Sequence, residues 1–167
     1  MGCGLATLQV IEEEKLIERA ELLGTLLKQQ IEERCRPYEM FKEVRGKGLM
    51  IGIEFKEPKS LKLKAGWKMI HAANKGLFGQ MIVVPLMSNH RILTQVAGHD
   101  VDLVKLLPPL VITEKDVADF VRAFEEVVAN CHKFPGAAWE VAFKLAKKAI
   151  RPASPAAPRE TEAELQT

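Results

Sequence analysis

Apolar residues recur every three or four positions in several long stretches of this chain, and that spacing predicts amphipathic helices. The first stretch is interrupted by Glu12–Glu14, so it predicts either one long helix or two helices that meet near Glu14. Pro37 ends the stretch, because proline does not continue a helix. The apolar stripe consists of Leu5, Leu8, Ile11, Leu16, Ala20, Leu23, Leu27 and Ile31.

The same spacing predicts two further helices. The apolar stripe of the first is Leu63, Trp67, Ile70 and Ala73, and its opposite face carries Lys62, Lys64, Lys68 and Lys75. Such a lysine face is typical of a solvated surface, and Gly76 is a natural end for this helix. The second helix runs from about Glu114 to His132, and Thr113 and Asp116 at its start resemble a capping box.

Alternation of apolar residues with period two predicts strands. Leu49–Phe55 is one half-buried strand, and Gly52 within it indicates the close approach of a neighbouring backbone or helix. Ile92–Gln95 and Leu103–Leu107 are two more, and the loop between them contains Gly98. Two such strands around a short glycine-containing loop predict a hairpin or near-hairpin.

The segments between these elements are a turn and one ambiguous stretch. Val44–Gly48 is punctuated by glycine and predicts a turn that leads into the first strand. Leu77–Ser88 fits either a short buried strand at Met81–Val84 or a helix that contains Pro85. Both interpretations of this stretch stay open.

The C-terminal part predicts a turn at Phe134–Gly136, then a basic helix with apolar residues that include Trp139, and a disordered tail from Arg151. A tryptophan at helical spacing is most often a core or interface residue, and we expect this of Trp139. Taken together, the elements predict an α+β fold: a small, mostly antiparallel sheet of three to four strands with helices packed on one face.

Composition and charge narrow the function classes. The chain has 167 residues, of which 47% are hydrophobic and 28% charged, a globular balance within the length of one domain and a tail. A net charge of +2 speaks against a nucleic-acid footprint, and no apolar run has the length of a membrane span. The three cysteines (Cys3, Cys35, Cys131) form no CxxC pair, so we expect the reducing cytoplasm.

No catalytic or metal-binding cluster is visible in the sequence. The four histidines are His71, His90, His99 and His132, and they are not spaced as metal ligands. The glycines of Arg45–Gly48 lack the spacing of a phosphate-binding loop. We therefore predict no metal site and no cofactor-binding residues.

Lys105 is the strongest candidate for a binding residue. Alternation places it between Leu103 and Leu107 on one face of its strand. A lysine there either lays its stem along the sheet and sends its ammonium group to water, or it receives a substrate carboxylate. Such a charge-assisted hydrogen bond contributes about 1.5–3 kcal/mol. Gln95 and Thr94 would add neutral hydrogen bonds to the same ligand.

Three motifs, in this order, resemble the C-terminal small domain of class III aminotransferases: EVRGKGLMIGIEF (Glu43–Phe55), HRILTQVAG (His90–Gly98) and KLLPPLVIT (Lys105–Thr113). These are pyridoxal-phosphate enzymes of fold type I, and they include ornithine, acetylornithine and related ω-aminotransferases. Gly4–Ala20 resembles the helix that leaves the large domain in that family. Lys133–Ile150 is similar to a C-terminal extension of some members.

The resemblance implies that the chain is divided into four parts. Residues 1–14 are the helix that leaves the large domain, 15–132 the small domain, 133–150 a helical extension and 151–167 the tail. It also implies amino-group transfer between an amine or amino acid and an oxo acid, with pyridoxal 5′-phosphate as cofactor, in a homodimer. Neither nucleic acid nor a membrane is an expected partner.

The chain departs from the family pattern in two ways. The chemistry requires a Schiff-base lysine and an aspartate at the pyridine nitrogen, and no segment resembles the strand that carries that lysine. We therefore expect no catalytic residue here, no tight cofactor binding by this chain alone, and a large domain that is missing or separately encoded. Many members also carry arginine where Lys105 stands, and lysine binds carboxylate as a point charge rather than through a planar fork.

Three interpretations of the function remain open. The chain is the small-domain portion of an aminotransferase that is inactive alone, one chain of a split enzyme, or a non-catalytic interaction module that kept the fold. A split enzyme predicts a sizeable exposed apolar surface on the Leu5–Ile31 helix and on the sheet, where the large domain docks.

Overall fold

The computed structural model describes residues 2–74, 76–98, 101–136, 138–140 and 142–144. The helices in this part of the chain are α1 (Gly2–Glu13), α2 (Leu16–Cys35), α3 (Leu61–Ala73), α4 (Leu77–His90) and α5 (Glu114–His132). The strands are β1 (Phe41–Lys47), β2 (Met50–Phe55), β3 (Gln95–Val96) and β4 (Leu103–Leu106). Residues 138–140 and 142–144 are also helical. None of the described helices combines the length and apolar character needed to cross a membrane.

Helices α1 and α2 are separate, which decides between the two predicted arrangements. Lys15 lies between them with a φ of 50°, in the left-handed region that ends a right-handed helix. The apolar stripe of α2 is buried from Leu16 to Cys35. In contrast, Leu5 and Leu8 of α1 remain 63% and 60% exposed, so α1 covers little apolar surface within the described chain.

The four strands form one antiparallel sheet in the order β1-β2-β4-β3, which confirms the predicted α+β class. On β2 the alternation is as predicted, because Ile51, Ile53 and Phe55 are all buried. The ring of Phe55 packs against Phe78 of α4 and Phe124 of α5, with centroid distances of 5.2 and 6.3 Å. The core therefore lies between one face of the sheet and the helices.

Strand β1 was not predicted, and the turn proposed over Val44–Gly48 is wrong in its extent. The strand runs through Lys47, and a two-residue turn of Gly48 and Leu49 joins it to β2. Gly48 has a φ of 52°, as such tight hairpin turns require. Gly46 lies within the ladder, opposite Ile51, and an added Cβ there would collide with a backbone carbonyl of β2. Its φ of 147° also favours glycine, so the residue is needed for the backbone conformation and close packing of the strand rather than for a turn.

The ambiguous stretch Leu77–Ser88 is helical, so the alternative of a strand at Met81–Val84 is wrong. Pro85 lies inside α4 and has no N–H group to donate to the carbonyl of Met81. The thiol of Cys131 on α5 donates to that carbonyl instead, with a sulfur–oxygen distance of 3.8 Å. A contact between two helices thus compensates for the missing hydrogen bond of the helix.

Two predicted boundaries also need correction. Helix α3 ends with Asn74 as its C-cap, and Gly76 instead precedes α4 as the N-cap. The strand predicted over Ile92–Gln95 is confined to Gln95–Val96. The helix runs on to His90 and the chain leaves it at Arg91, whose φ is 58°. The N–H of Ile92 then donates to the carbonyl of Leu86 in α4 at 2.9 Å, so this residue completes the helix end instead of joining the sheet.

Helix α5 agrees with the prediction at both ends, and its capping box is complete. The Thr113 hydroxyl accepts from the backbone N–H of Asp116, and the Asp116 carboxylate accepts from the backbone N–H of Thr113 at 2.8 Å. The Thr113 hydroxyl also donates to this carboxylate at 2.7 Å. The hydrogen bonds that the side chain and the backbone N–H of Thr113 give to the carboxylate lower the pKa of Asp116.

The chain after α5 folds back onto the domain. The side chain of Trp139 is fully buried, and its indole N–H donates to the carbonyl of Cys131 at 2.8 Å. An added Cβ on Gly66 of α3 would lie 2.8 Å from ring atoms of Phe134 and Trp139. The start of the predicted extension therefore belongs to the core. Residues beyond 144, including the predicted tail at 151–167, lie outside the described residues.

Candidate functional site

The two predicted site residues, Lys105 and Gln95, lie directly opposite each other on β4 and β3. Lys105 is also the partner of Gly52 on β2, and Gly52 is the partner of Arg45 on β1. One row across the whole sheet therefore reads Arg45, Gly52, Lys105, Gln95. Side chains in one such row project from the same face of the sheet.

This row lies on the face that turns away from the helices. The neighbours Val104 and Leu106 are 0% and 5% exposed, so their side chains fill the core. Lys105 is half-buried and Gln95 is exposed. We call the face that carries this row the open face. The predicted alternation is thus correct, and it places Lys105 on the solvent side of the sheet.

Lys105 makes no ion pair with any residue in the described part of the chain. On the neighbouring strand β2 the open face carries Glu54, which is bonded to Lys42 at 2.6 Å and lies 3.3 Å from Arg45. The hydrogen bond from Lys42, together with the charges of Lys42 and Arg45, lowers the pKa of Glu54 despite its partial burial. Glu54 is therefore committed to two other cations, and the charge of Lys105 remains available to a ligand.

Gly52 does not receive a backbone or a helix, as the sequence suggested. The side chain of Leu103 lies over it instead, with its Cδ2 3.4 Å from the position that a Cβ would take. Leu103 is half-buried beside Lys105 on the open face. The lysine stem therefore has an apolar neighbour along which it can pack while the ammonium group stays accessible.

Thr94 is not part of the same group as Lys105. It is only 7% exposed and lines a cleft of about 530 Å³ between the sheet and α5, whose walls include Leu106 and Phe120. Neither Lys105 nor Gln95 lines this cleft. The hydroxyl of Thr94 has no hydrogen-bond partner among the described residues. The hypothesis that Thr94 and Gln95 serve one ligand is therefore wrong, because adjacent residues of an extended chain face opposite sides.

The structure also brings together a pair that the sequence did not indicate. His71 of α3 and Asp102, which precedes β4, are joined by a hydrogen bond of 2.8 Å between Nε2 and Oδ2. These residues lie 31 positions apart. No local sequence spacing links His71 and Asp102, so the pair becomes visible only in the folded structure, where α3 lies beside the start of β4.

The lysines that form ion pairs in the described part of the chain do not offer pyridoxal phosphate an enclosed site. An internal aldimine needs a lysine in an enclosed site beside an acidic group that meets the pyridine nitrogen. The lysines with ion-pair partners here, Lys42, Lys64 and Lys115, are at the surface, with side chains 45%, 40% and 82% exposed. No group of three or more potential metal ligands occurs in the described part of the chain either.

These features define a small α+β domain whose open sheet face presents Lys105 without an ion-pair partner among the described residues. The chain belongs to the class-III aminotransferase family, whose model matches residues 1–128. The resemblance of the three sequence motifs is thereby confirmed.

Individual relatives agree with this assignment. The chain is 34% identical over 118 residues to alanine–glyoxylate aminotransferase 2 homolog 2, mitochondrial, of Arabidopsis thaliana, covering 71% of this chain and 22% of that protein. It is 37% identical over 113 residues to an ornithine aminotransferase of Bacillus cereus strain Q1, covering 68% of this chain and 22% of that protein. A solved Bacillus anthracis aminotransferase matches with a TM-score of 0.55 and 26% identity, over 75% of this chain and 26% of that one.

The chain thus spans about a quarter of the length of the relatives that it matches. The family assignment applies to this portion of the sequence.

Proposed function

We propose that this chain is the small-domain portion of a class III, pyridoxal-phosphate-dependent aminotransferase, and that it supplies Lys105 and Gln95 to the substrate side of the site. The reaction of the whole enzyme is amino-group exchange between an amine or amino acid and an oxo acid. The observation that carries the proposal is the row across the open face, in which Lys105 has no ion-pair partner among the described residues.

The proposed role of Lys105 is to bind an acidic group of the substrate. Its ammonium group is a point charge, so it does not impose the two parallel hydrogen bonds that arginine gives to a carboxylate. We therefore propose a substrate whose acidic group need not be held in one plane. Gln95, opposite Lys105, adds an amide that can both donate and accept.

The isolated chain is proposed to be catalytically incompetent. Support comes from the lysines described above, none of which lies in an enclosed site with a cofactor-orienting carboxylate. When bound by the rest of the enzyme, pyridoxal phosphate supplies the electron sink of the reaction. The contribution of this chain is restricted to binding and orienting the substrate.

Apolar side chains on the surface favour a partner that covers them. On the first two helices Leu5, Ile17 and Leu22 are 63%, 71% and 61% exposed. At the end of the sheet Met50 and Leu107 are 66% and 55% exposed, and they line one shallow groove together with Ile17. This pattern supports docking onto an aminotransferase large domain, either in one longer polypeptide or as a split enzyme, within a homodimeric assembly.

Absorbance titration of the purified chain with pyridoxal phosphate, before and after borohydride reduction, tests the proposed incompetence. We expect no saturable aldimine band and only weak, scattered labelling of surface lysines such as Lys62 and Lys68 in peptide maps. A stoichiometric band reduced onto a single lysine, Lys105 above all, would overturn the proposal.

Co-expression with an aminotransferase large domain tests whether this chain completes an enzyme and supplies Lys105 to the substrate. We expect cofactor binding to be restored, and Lys105→Met to lower kcat/KM for an acidic substrate by roughly tenfold to a hundredfold, from the loss of one charge-assisted hydrogen bond. Lys68→Met, on the exposed side of α3, is the matched control and should leave kcat/KM unchanged. A stable complex without activity would instead favour the interaction module.

The cytoplasm remains the proposed location. Cys35 and Cys131 are buried free thiols, and burial raises the pKa of each to about 12, with the charge of Glu125 adding to the effect at Cys35. Thiols of that kind are unreactive and need no oxidising compartment.

A further inference from the structure

Both ring nitrogens of His71 face hydrogen-bond acceptors. Nδ1 lies 2.9 Å from the backbone carbonyl oxygen of Trp67, one helical turn earlier, and Nε2 lies 2.8 Å from a carboxylate oxygen of Asp102. A carbonyl and a carboxylate can only accept, so each nitrogen must carry a proton for both hydrogen bonds to form. The geometry thus selects the imidazolium form of His71.

The surroundings of the ring agree with a positive charge. The Trp67 ring stacks on it with a centroid distance of 4.4 Å and an interplanar angle of 20°, a geometry in which a cation is attracted by the aromatic face. Burial lowers the pKa of His71. The hydrogen bonds to Asp102 and Trp67 and the charges of Asp102 and Glu57 outweigh that effect, so the pKa lies above its ordinary value of 6.5.

Charged groups reach His71 from two other parts of the described chain. Asp102 comes from the loop before β4, and Glu57 comes from the β2–α3 connection, where Lys64 lies 3.7 Å from it. From α4 the neighbour of the stacked pair is the uncharged ring of Phe78, 4.4 Å from Trp67. The pair with Asp102 is therefore the dominant ionic contact of His71.

Asp102 connects the His71–Asp102 pair to the strand that carries Lys105 on the open face. Its backbone carbonyl accepts from the N–H of Phe55 at 2.8 Å, so the residue is anchored to β2 as well as to α3. One of its carboxylate oxygens is buried and has no hydrogen-bond partner in the part of the chain that the structure describes, so His71 is the group there that compensates the charge of the carboxylate. Lys105 follows three residues later on β4, opposite Gln95.

We propose that His71 is a pH-dependent positioning residue: as an imidazolium it clamps the start of β4 to α3 through Asp102 and so holds Lys105 and Gln95 in place on the open face. The clamp is a property of this chain by itself, while its consequence for substrate rests on the proposed function. His71 acts through Asp102 and does not itself contact the ligand.

The direction of the pH dependence follows from the raised pKa. A group whose pKa is higher in the folded than in the unfolded state adds stability that is fully present below the unfolded value. That stability is lost as the pH rises through the folded value. The clamp is therefore closed in mildly acidic solution and released above the pKa of His71.

NMR titration of the full 167-residue chain tests the proposal, through the imidazole resonances of His71 and the backbone amides of Leu103, Lys105 and Gln95. We expect the imidazole midpoint above 6.5 and the three amides to shift with that same midpoint. Asp102→Asn keeps the shape and removes the charge. It should lower the His71 midpoint and abolish the shared transition of the amides.

His71→Gln should also remove the transition, because glutamine does not titrate. His90→Gln is the matched control: His90 lies 3.8 Å from the carboxylate of Glu126 at the end of α4, and its replacement should leave the transition intact. A His71 midpoint that does not respond to Asp102→Asn, or amides that do not follow His71, would overturn the proposal. The titration uses neither cofactor nor substrate, so its failure is distinct from failure of the proposed function.

Discussion

Lys105 on β4 and Gln95 on β3 are direct cross-strand partners on the open face of the sheet, with Gly52 of β2 on the other side of Lys105. The lysine has no ion-pair partner among the described residues. Glu54, on the open face of the neighbouring strand, is paired with Lys42 and Arg45. A half-buried cation without a partner contributes little to folding, in keeping with the binding role proposed for Lys105.

Replacement of Lys105 by methionine should therefore change the free energy of unfolding by no more than about 0.5 kcal/mol, since no ion pair is lost and the apolar stem is retained. Urea denaturation followed by circular dichroism measures the change. Lys42→Met is the comparison, because it breaks the contact with Glu54, and exposed ion pairs of this kind contribute roughly 0.2–1 kcal/mol. A loss above about 1 kcal/mol for Lys105→Met would show a structural role instead.

Gly24 of α2 is a second test, because an added Cβ would collide with the backbone carbonyl of Gly48 in the β1–β2 turn. Backbone cannot move aside as a flexible side chain can, so Gly24→Ala should destabilise the domain by roughly 1–3 kcal/mol. Thermal unfolding of purified variants measures this.

The matched control is Gly4→Ala on α1. An added Cβ at Gly4 meets nothing within 4 Å. Alanine is the better helix former by up to about 1 kcal/mol, so Gly4→Ala should be neutral or stabilising. Equal effects at the two glycines would contradict the close approach of α2 to the hairpin.

Trp139 tests whether the chain after α5 belongs to the domain. Trp139→Phe keeps an aromatic ring but leaves the buried carbonyl of Cys131 without its donor, at a cost of about 1–3 kcal/mol. Trp139→Ala also leaves a cavity and should cost about 3–5 kcal/mol. Chemical denaturation of the unsubstituted chain, Trp139→Phe and Trp139→Ala measures their free energies of unfolding, which should fall in that order. Unfolding transitions identical to that of the unsubstituted chain would show that the extension folds independently.

Thr94 is predicted to tolerate loss of its hydroxyl. The group is buried and has no partner within the described ranges, so Thr94→Val removes an unsatisfied polar atom at nearly constant shape and should be neutral or stabilising by up to about 1 kcal/mol. Thr113→Val makes the same chemical change at the N-cap of α5 and should cost about 0.5–2 kcal/mol. Calorimetric melting temperatures compare the two. A clear loss at Thr94 would mean that its hydroxyl has a partner in solution.

Where structure is governed by neighbours in the chain, the sequence alone was sufficient. Helix α5 was predicted from its apolar spacing and from the pair Thr113 and Asp116, because a capping box is closed within one turn. The alternation in Leu49–Phe55 correctly separated the core face from the open face, since side chains of a strand alternate strictly. The same rule placed Lys105 beside a ligand-accessible surface.

The tertiary structure decided what depends on distant partners. Pro85 is accommodated in α4 because Cys131 donates to the carbonyl that proline leaves unpaired. Position 46 requires glycine because the backbone of the opposite strand leaves no room for a Cβ. The burial of Thr94 in the cleft and the pairing of His71 with Asp102 likewise depend on how elements pack. Sequence periodicity reports the face on which a residue lies. It contains no information on which distant residue completes the contact, because that pairing is set by packing between elements far apart in the chain.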